Sequence, residues 1–73
     1  MTHEFKVGQF YKHKSELGIV EIINVEDRIY LKWIIFRGKE GGGNTHISNE
    51  ALFRKNWDLM TENEVKILLV RSL

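Results

Sequence analysis

The stretch Arg28-Ile29-Tyr30-Leu31-Lys32-Trp33-Ile34-Ile35-Phe36-Arg37 constrains the fold of this chain more than any other. β-Branched and aromatic side chains dominate it, and these fit a pleated strand better than a helix. The two-residue period of a strand places Ile29, Leu31, Trp33 and Ile35 on one side and Tyr30, Lys32, Ile34 and Phe36 on the other. The first set is wholly apolar and is expected to face a core. The second is apolar except for Lys32. A strand apolar on both faces is either covered twice or leaves an exposed patch.

The flanking segments predict further strands. Val7-Gly8-Gln9-Phe10-Tyr11 reads as a short opening strand, and Lys14 to Gly18 as a polar turn. Ile19 to Val25 is a β-branched strand, joined to the long strand through the tight connection Glu26-Asp27. Gly38-Lys39-Glu40-Gly41-Gly42-Gly43-Asn44 reads as a mobile loop, because its glycines readily take positive φ. Thr45-His46-Ile47 predicts a brief strand. Ser48 is placed to cap a short helix through Asn56, with Leu52 and Phe53 pointing inward. Trp57 to Met60 predicts a last short strand.

Thr61-Glu62-Asn63-Glu64 is a capping box, in which the threonine hydroxyl and the glutamate carboxylate each satisfy one orphan helix N–H. The helix it opens, over residues 61–72, carries Val65, Leu68 and Leu69 at helical spacing, with Ile67 and Val70 widening the stripe. The economical arrangement folds Val65, Leu68 and Leu69 over Tyr30, Ile34 and Phe36. The alternative leaves one of these two surfaces open for a partner or for a second copy of the chain.

The 73 residues make one domain, with a β part over 6–60 and a helix after it. A chain this short buries only about 60% of the surface its unfolded form exposes, so it needs every large apolar side chain. Cysteine is absent, which removes disulfides and thiolate metal sites and accords with a reducing, cytoplasmic setting. The first residues are too polar for a signal peptide, and no apolar run approaches the roughly 18 residues of a membrane span.

Eleven basic and ten acidic side chains leave a net charge of +1. A dedicated nucleic-acid binder carries a clear basic excess, and a mimic of the DNA backbone carries a dense acidic one. Nucleic-acid binding therefore requires segregated charge. Lys12, Lys14, Arg37, Lys39, Arg54 and Lys55 are the residues that would supply it if they converged on one face. The alternative for the same residues is an ordinary solvated surface.

No catalytic residue, metal site or cofactor is expected. His3, His13 and His46 lack metal-ligand spacing, the serines lack a nucleophile-elbow context, and the carboxylates are scattered or used in turns and caps. The glycine loop lacks the lysine and Ser/Thr of a phosphate-binding loop. Trp33, Phe53 and Trp57 are expected in the core. Tyr11, Tyr30 and Phe36 are the aromatics expected at a surface, and Tyr30, Lys32, Ile34, Phe36 and Tyr11 are the candidate partner-binding residues.

The order of these elements carries a resemblance. A glycine-bearing first strand (Val7 to Tyr11), a valine/isoleucine strand, a long aromatic strand, a glycine-marked excursion and a short turn from Ser48 to Asn56 ending at Trp57-Asp58-Leu59 resemble small SH3-like barrel proteins of bacteriophage and prophage type. The resemblance spans roughly Lys6 to Met60 and includes the Phe53…Trp57 pair; the helix after Met60 departs from it. It implies a mainly β fold: a small barrel of four to five strands with a short helix, followed here by a C-terminal α-helix. It also implies binding to peptides, proteins or nucleic acids, without selecting among them. The expected function is a non-enzymatic protein-binding module, a phage-encoded modulator of a host protein acting in the host cytoplasm. The alternatives are a nucleic-acid-binding barrel and a structural homodimer.

Overall fold

A computed structural model describes residues 4–71. It is mainly β, with the strands β1 (Phe10–His13), β2 (Gly18–Val25), β3 (Ile29–Phe36), β4 (Lys39–Glu40), β5 (Asn44–His46) and β6 (Trp57–Leu59), and the helices α1 (Glu50–Asn56) and α2 (Glu62–Arg71). All pairings are antiparallel. The strands run β4-β3-β2-β1-β6 across the sheet, and β5 also pairs with β3, beyond β4. The β6 end is not bonded to the β4/β5 end, so the sheet curls but stays open. Closure into a barrel, as the resemblance implies, is not seen in the hydrogen bonding.

The concave side holds the core. Phe5, Tyr11, Val20, Ile22, Leu31 and Phe53 are buried, and Ile29, Trp33, Ile47, Trp57 and Leu59 pack around them. Phe53 is the aromatic hub: it stacks on Trp57 at 5.4 Å and meets Phe5 and Tyr11 at 5.8 and 5.3 Å. Tyr11 was expected at a surface but is only 3% exposed. In the short strand β1 it lies opposite Val20, which points straight into the core. Its hydroxyl reaches Gln9 Oε1 at 3.4 Å, and burial pushes its pKa up, with nearby Arg54 opposing.

Strict alternation also fails along β3. Val20 pairs with Trp33, Ile19 with Ile35 and Gly18 with Phe36, which leaves Ile34 as an extra residue on β3. Such a bulge reverses the facing of every residue beyond it. Ile35 therefore shares the convex side with Ile19, and Phe36 shares the concave side with Gly18 and Trp33. Both assignments are the opposite of what an uninterrupted period of two predicts. A second irregularity at Ile23, where Ile22 pairs with Leu31 and Asn24 with Tyr30, bends the hairpin further.

The glycine segment is tied down along β3. Gly41 N–H donates to Ile34 O at 3.0 Å, and Trp33 N–H donates to Gly43 O at 2.9 Å. The segment expected to be mobile is thus the partner of the β3 bulge, linking β4 to β5. The cap of α1 is Asn49, one residue after Ser48, with its Oδ1 accepting from Leu52 N–H at 3.0 Å. That shift leaves Phe53 inward and turns Leu52 outward, at 54% exposed.

The capping box of α2 forms as expected. Glu64 N–H donates to Thr61 Oγ1 at 3.2 Å, and Thr61 N–H donates to Glu64 Oε1 at 3.0 Å. Yet no side chain of α2 is buried. The helix leans on the convex side of the sheet through Lys12, which pairs with Glu64. Between helix and sheet runs a groove of about 720 Å³. Ile34 lies in it; Tyr30 and Phe36 do not. No helix is long and apolar enough to cross a membrane among the described residues.

Candidate protein-binding surface

The bulge at Ile34 creates the surface. By bringing Phe36 to the concave side, it sets that ring edge-on against Trp33, with centroids 4.8 Å apart at 79°. Directly after it, Arg37 (φ 54) and Gly38 (φ 80) make the two-residue turn into β4. Positive φ at both central residues is the type I′ geometry that matches strand twist. The turn returns Lys39 opposite Phe36 and lays the Arg37 guanidinium 5.3 Å from the Phe36 centroid. The chain then passes Trp33 so closely that a side chain on Gly41 has no room. Trp33, Phe36, Glu40, Gly41, Gly42 and Gly43 line an open cleft of about 310 Å³.

Behind the cleft an aromatic chain leads to the core, with Trp33 5.8 Å from Trp57 and Trp57 stacked on Phe53. The His13 ring closes on Trp57 at 4.9 Å, held by its own Nδ1, which accepts from Ser15 and Glu16 N–H at 3.1 and 3.0 Å. Phe36 is therefore fixed from beneath while remaining 45% exposed. Leu17, 73% exposed, packs beside Gly38 at the same rim.

The structure does not bring the five candidate partner-binding residues together. Phe36 lies at the cleft. Ile34 lies on the opposite side, under α2. Tyr30 sits at the far end of β3, 36% exposed, with its ring 6.4 Å from His46. Lys32 is exposed between Glu21 and Asn44 on the neighbouring strands. Tyr11, expected among the contacts, is buried in the core and so does not face a partner. The glycine loop was expected to join the outer face of the long strand in the contact surface; Trp33, expected in the core, instead lines the cleft beside it. The run Gly41-Gly42-Gly43 was the available signal, since consecutive glycines in a strand mark a bulge or a close backbone approach.

Three of the six candidate nucleic-acid cations are paired with carboxylates. Lys12 pairs with Glu64, Lys14 reaches Asp58 at 3.7 Å, and Arg54 reaches Glu50 at 3.1 Å while lying 4.1 Å over the Phe5 ring. Arg37 lies over Phe36. Lys39 and Lys55 are exposed on β4 and α1. His3 falls outside the described residues. Among those described, no group of three or more His, Asp or Glu side chains is arranged to hold a metal.

Fold and surface together define a small mainly β domain, an antiparallel sheet of six strands with two helices, whose surface includes an aromatic cleft and an apolar groove. No family model, curated protein or solved structure matches this chain.

Proposed function

We propose that the chain is a non-enzymatic protein-binding module of the SH3-like kind, and that its partner docks on the Trp33–Phe36 cleft and the glycine segment bordering it. One observation carries the reading: Phe36 is held edge-on to Trp33 at the mouth of a cleft and yet left 45% exposed. Tryptophan, tyrosine and arginine are enriched among binding hot spots, and this ring lies between Trp33 and Arg37. A ring already immobilised by its neighbours loses little further freedom on binding.

The SH3-like reading is supported by the strand order, in which the last strand follows a short helix and pairs with the first. Three polar side chains have structural roles: Glu64 caps α2, Asn49 caps α1, and His13 holds its own turn. The partner in this reading is a host protein in the cytoplasm of a bacterium, which the chain modulates by occupying one of its surfaces.

The test uses the immobilised chain and a bacterial lysate. The native chain retains a stoichiometric protein. Phe36→Ala weakens that capture by about 30-fold, the value of a ~2 kcal/mol hot spot. Tyr30→Ala, remote from the cleft, leaves it intact. Retention of nucleic acid alone, or undiminished capture by Phe36→Ala, overturns the reading.

A further inference from the structure

Two cations flank the exposed ring of the aromatic cleft. Lys39 stands directly opposite Phe36 in the β3–β4 pair, so the two side chains share the concave side of the sheet. Arg37, in the turn between them, lays its guanidinium 5.3 Å from the Phe36 centroid. Both cations are exposed, and neither has an ion-pair partner among the described residues. The carboxylates nearest in the fold do not neutralise them. Glu40 lies opposite Ile35 and so turns its side chain to the convex side, which is why it borders the groove under α2 as well as the cleft. Glu16, in the turn beside Gly38, is exposed and makes no ion pair with either. The glycine wall adds neutral donors. Gly42 and Gly43 are exposed, and neither N–H reaches an acceptor within the described chain. Nothing crowds either α-carbon, so these amides are open to an approaching acceptor.

We propose that the protein segment docked in this cleft is acidic. An apolar side chain of the partner lies against Trp33 and Phe36, and a carboxylate beside it in the partner's sequence pairs with Arg37 and Lys39. This inference rests on the docking reading above and adds the chemistry of the partner. Charge complementarity selects that chemistry, since two uncompensated cations border an apolar floor. A guanidinium meets a carboxylate through two parallel hydrogen bonds, and Arg37 already lies over the ring that the apolar side chain would touch. The turn holds Arg37 at φ 54, a left-handed conformation that costs an arginine energy, and such outliers gather at ligand clamps. A nucleic acid is a poorer fit. Its backbone is met by several cations at once, and Lys12, Lys14 and Arg54 are already held by carboxylates of the chain itself.

Selection of a random heptapeptide display library on the immobilised full chain tests this. It is run in parallel on Phe36→Ala and on the double variant Arg37→Glu with Lys39→Glu, circular dichroism verifying that each stays folded. The native chain is expected to retain peptides with Asp or Glu beside a large apolar side chain. The double variant retains peptides with Lys or Arg in that place, and Phe36→Ala retains neither class. A synthetic peptide from the native selection binds Arg37→Gln with Lys39→Gln about tenfold more weakly at low salt, and the difference shrinks at high salt. Peptides that are lost on Phe36→Ala but show no acidic preference overturn the proposal and leave the docking reading intact. Peptides indifferent to Phe36→Ala overturn both. An empty selection overturns the acidic segment, as does capture of a labelled oligothymidine by the cleft in place of peptides.

Discussion

The α-carbon of Gly41 lies against the backbone of Trp33: a β-carbon built at position 41 would sit 2.4 Å from the Trp33 carbonyl oxygen. The contact locks β4 and the glycine segment onto β3 at the residue before the bulge. Backbone cannot swing aside as a flexible side chain can, so any substitution must separate the two strands.

Gly41→Ala is therefore expected to destabilise the fold by about 2–3 kcal/mol, with loss of the Gly41–Ile34 and Trp33–Gly43 hydrogen bonds. At Gly43 nothing lies within 4 Å of a built β-carbon. Gly43→Ala is expected to change stability by no more than about 0.5 kcal/mol. Urea denaturation of the two variants side by side measures the difference, and equal effects would refute the tight-approach account.

Arg37 occupies the left-handed region, at φ 54, in the first central position of the β3–β4 turn. Asparagine tolerates that region better than arginine does and is favoured before glycine in type I′ turns. Arg37→Asn is expected to raise stability by up to about 1 kcal/mol, partly offset by loss of the cation over Phe36. If Arg37 also serves as a contact, the same variant binds its partner less well while melting at a higher temperature.

Acid should loosen α2 selectively. The Lys12 ammonium, bonded to the Glu64 carboxylate, holds its pKa below the usual value, helped by Thr61 N–H. A depressed carboxylate adds stability above the ordinary glutamate range and loses it as pH falls through the lowered value. The helical signal of α2 should thus decline on the acid side of that range. Glu64→Gln keeps the capping geometry without the charge. Its titration should be flat in that window, and a persisting acid transition would assign the effect elsewhere.

Leu52 and Phe53 are neighbours in α1 with opposite surroundings. Phe53 is 8% exposed and touches three other aromatic rings, whereas Leu52 is 54% exposed. Phe53→Ala is expected to cost about 3–5 kcal/mol. Leu52→Ala should cost no more than about 0.5 kcal/mol, as measured by thermal or chemical unfolding. Comparable losses would mean that α1 is rotated from the orientation described.

Features that depend on contacts a few residues apart were legible in the chain itself. The capping box of Thr61 and Glu64 closes over a single helical turn, so its residues suffice to place the start of α2. The strand nature of Ile29 to Phe36 follows from its β-branched and aromatic side chains, and the inward turn of Leu31 and Trp33 from the period of two. What tertiary structure decided was register. Ile34 is extruded because of how β3 pairs with β2 and with the glycine segment, and no local pattern carries that information. One residue extra to the β2 pairing moved Phe36 beside Trp33 and Ile35 beneath α2, and so made both surfaces. The burial of Tyr11 and the gap under α2 were likewise settled by what folds against them: packing between distant segments is a property of the assembled sheet, not of any window along the chain.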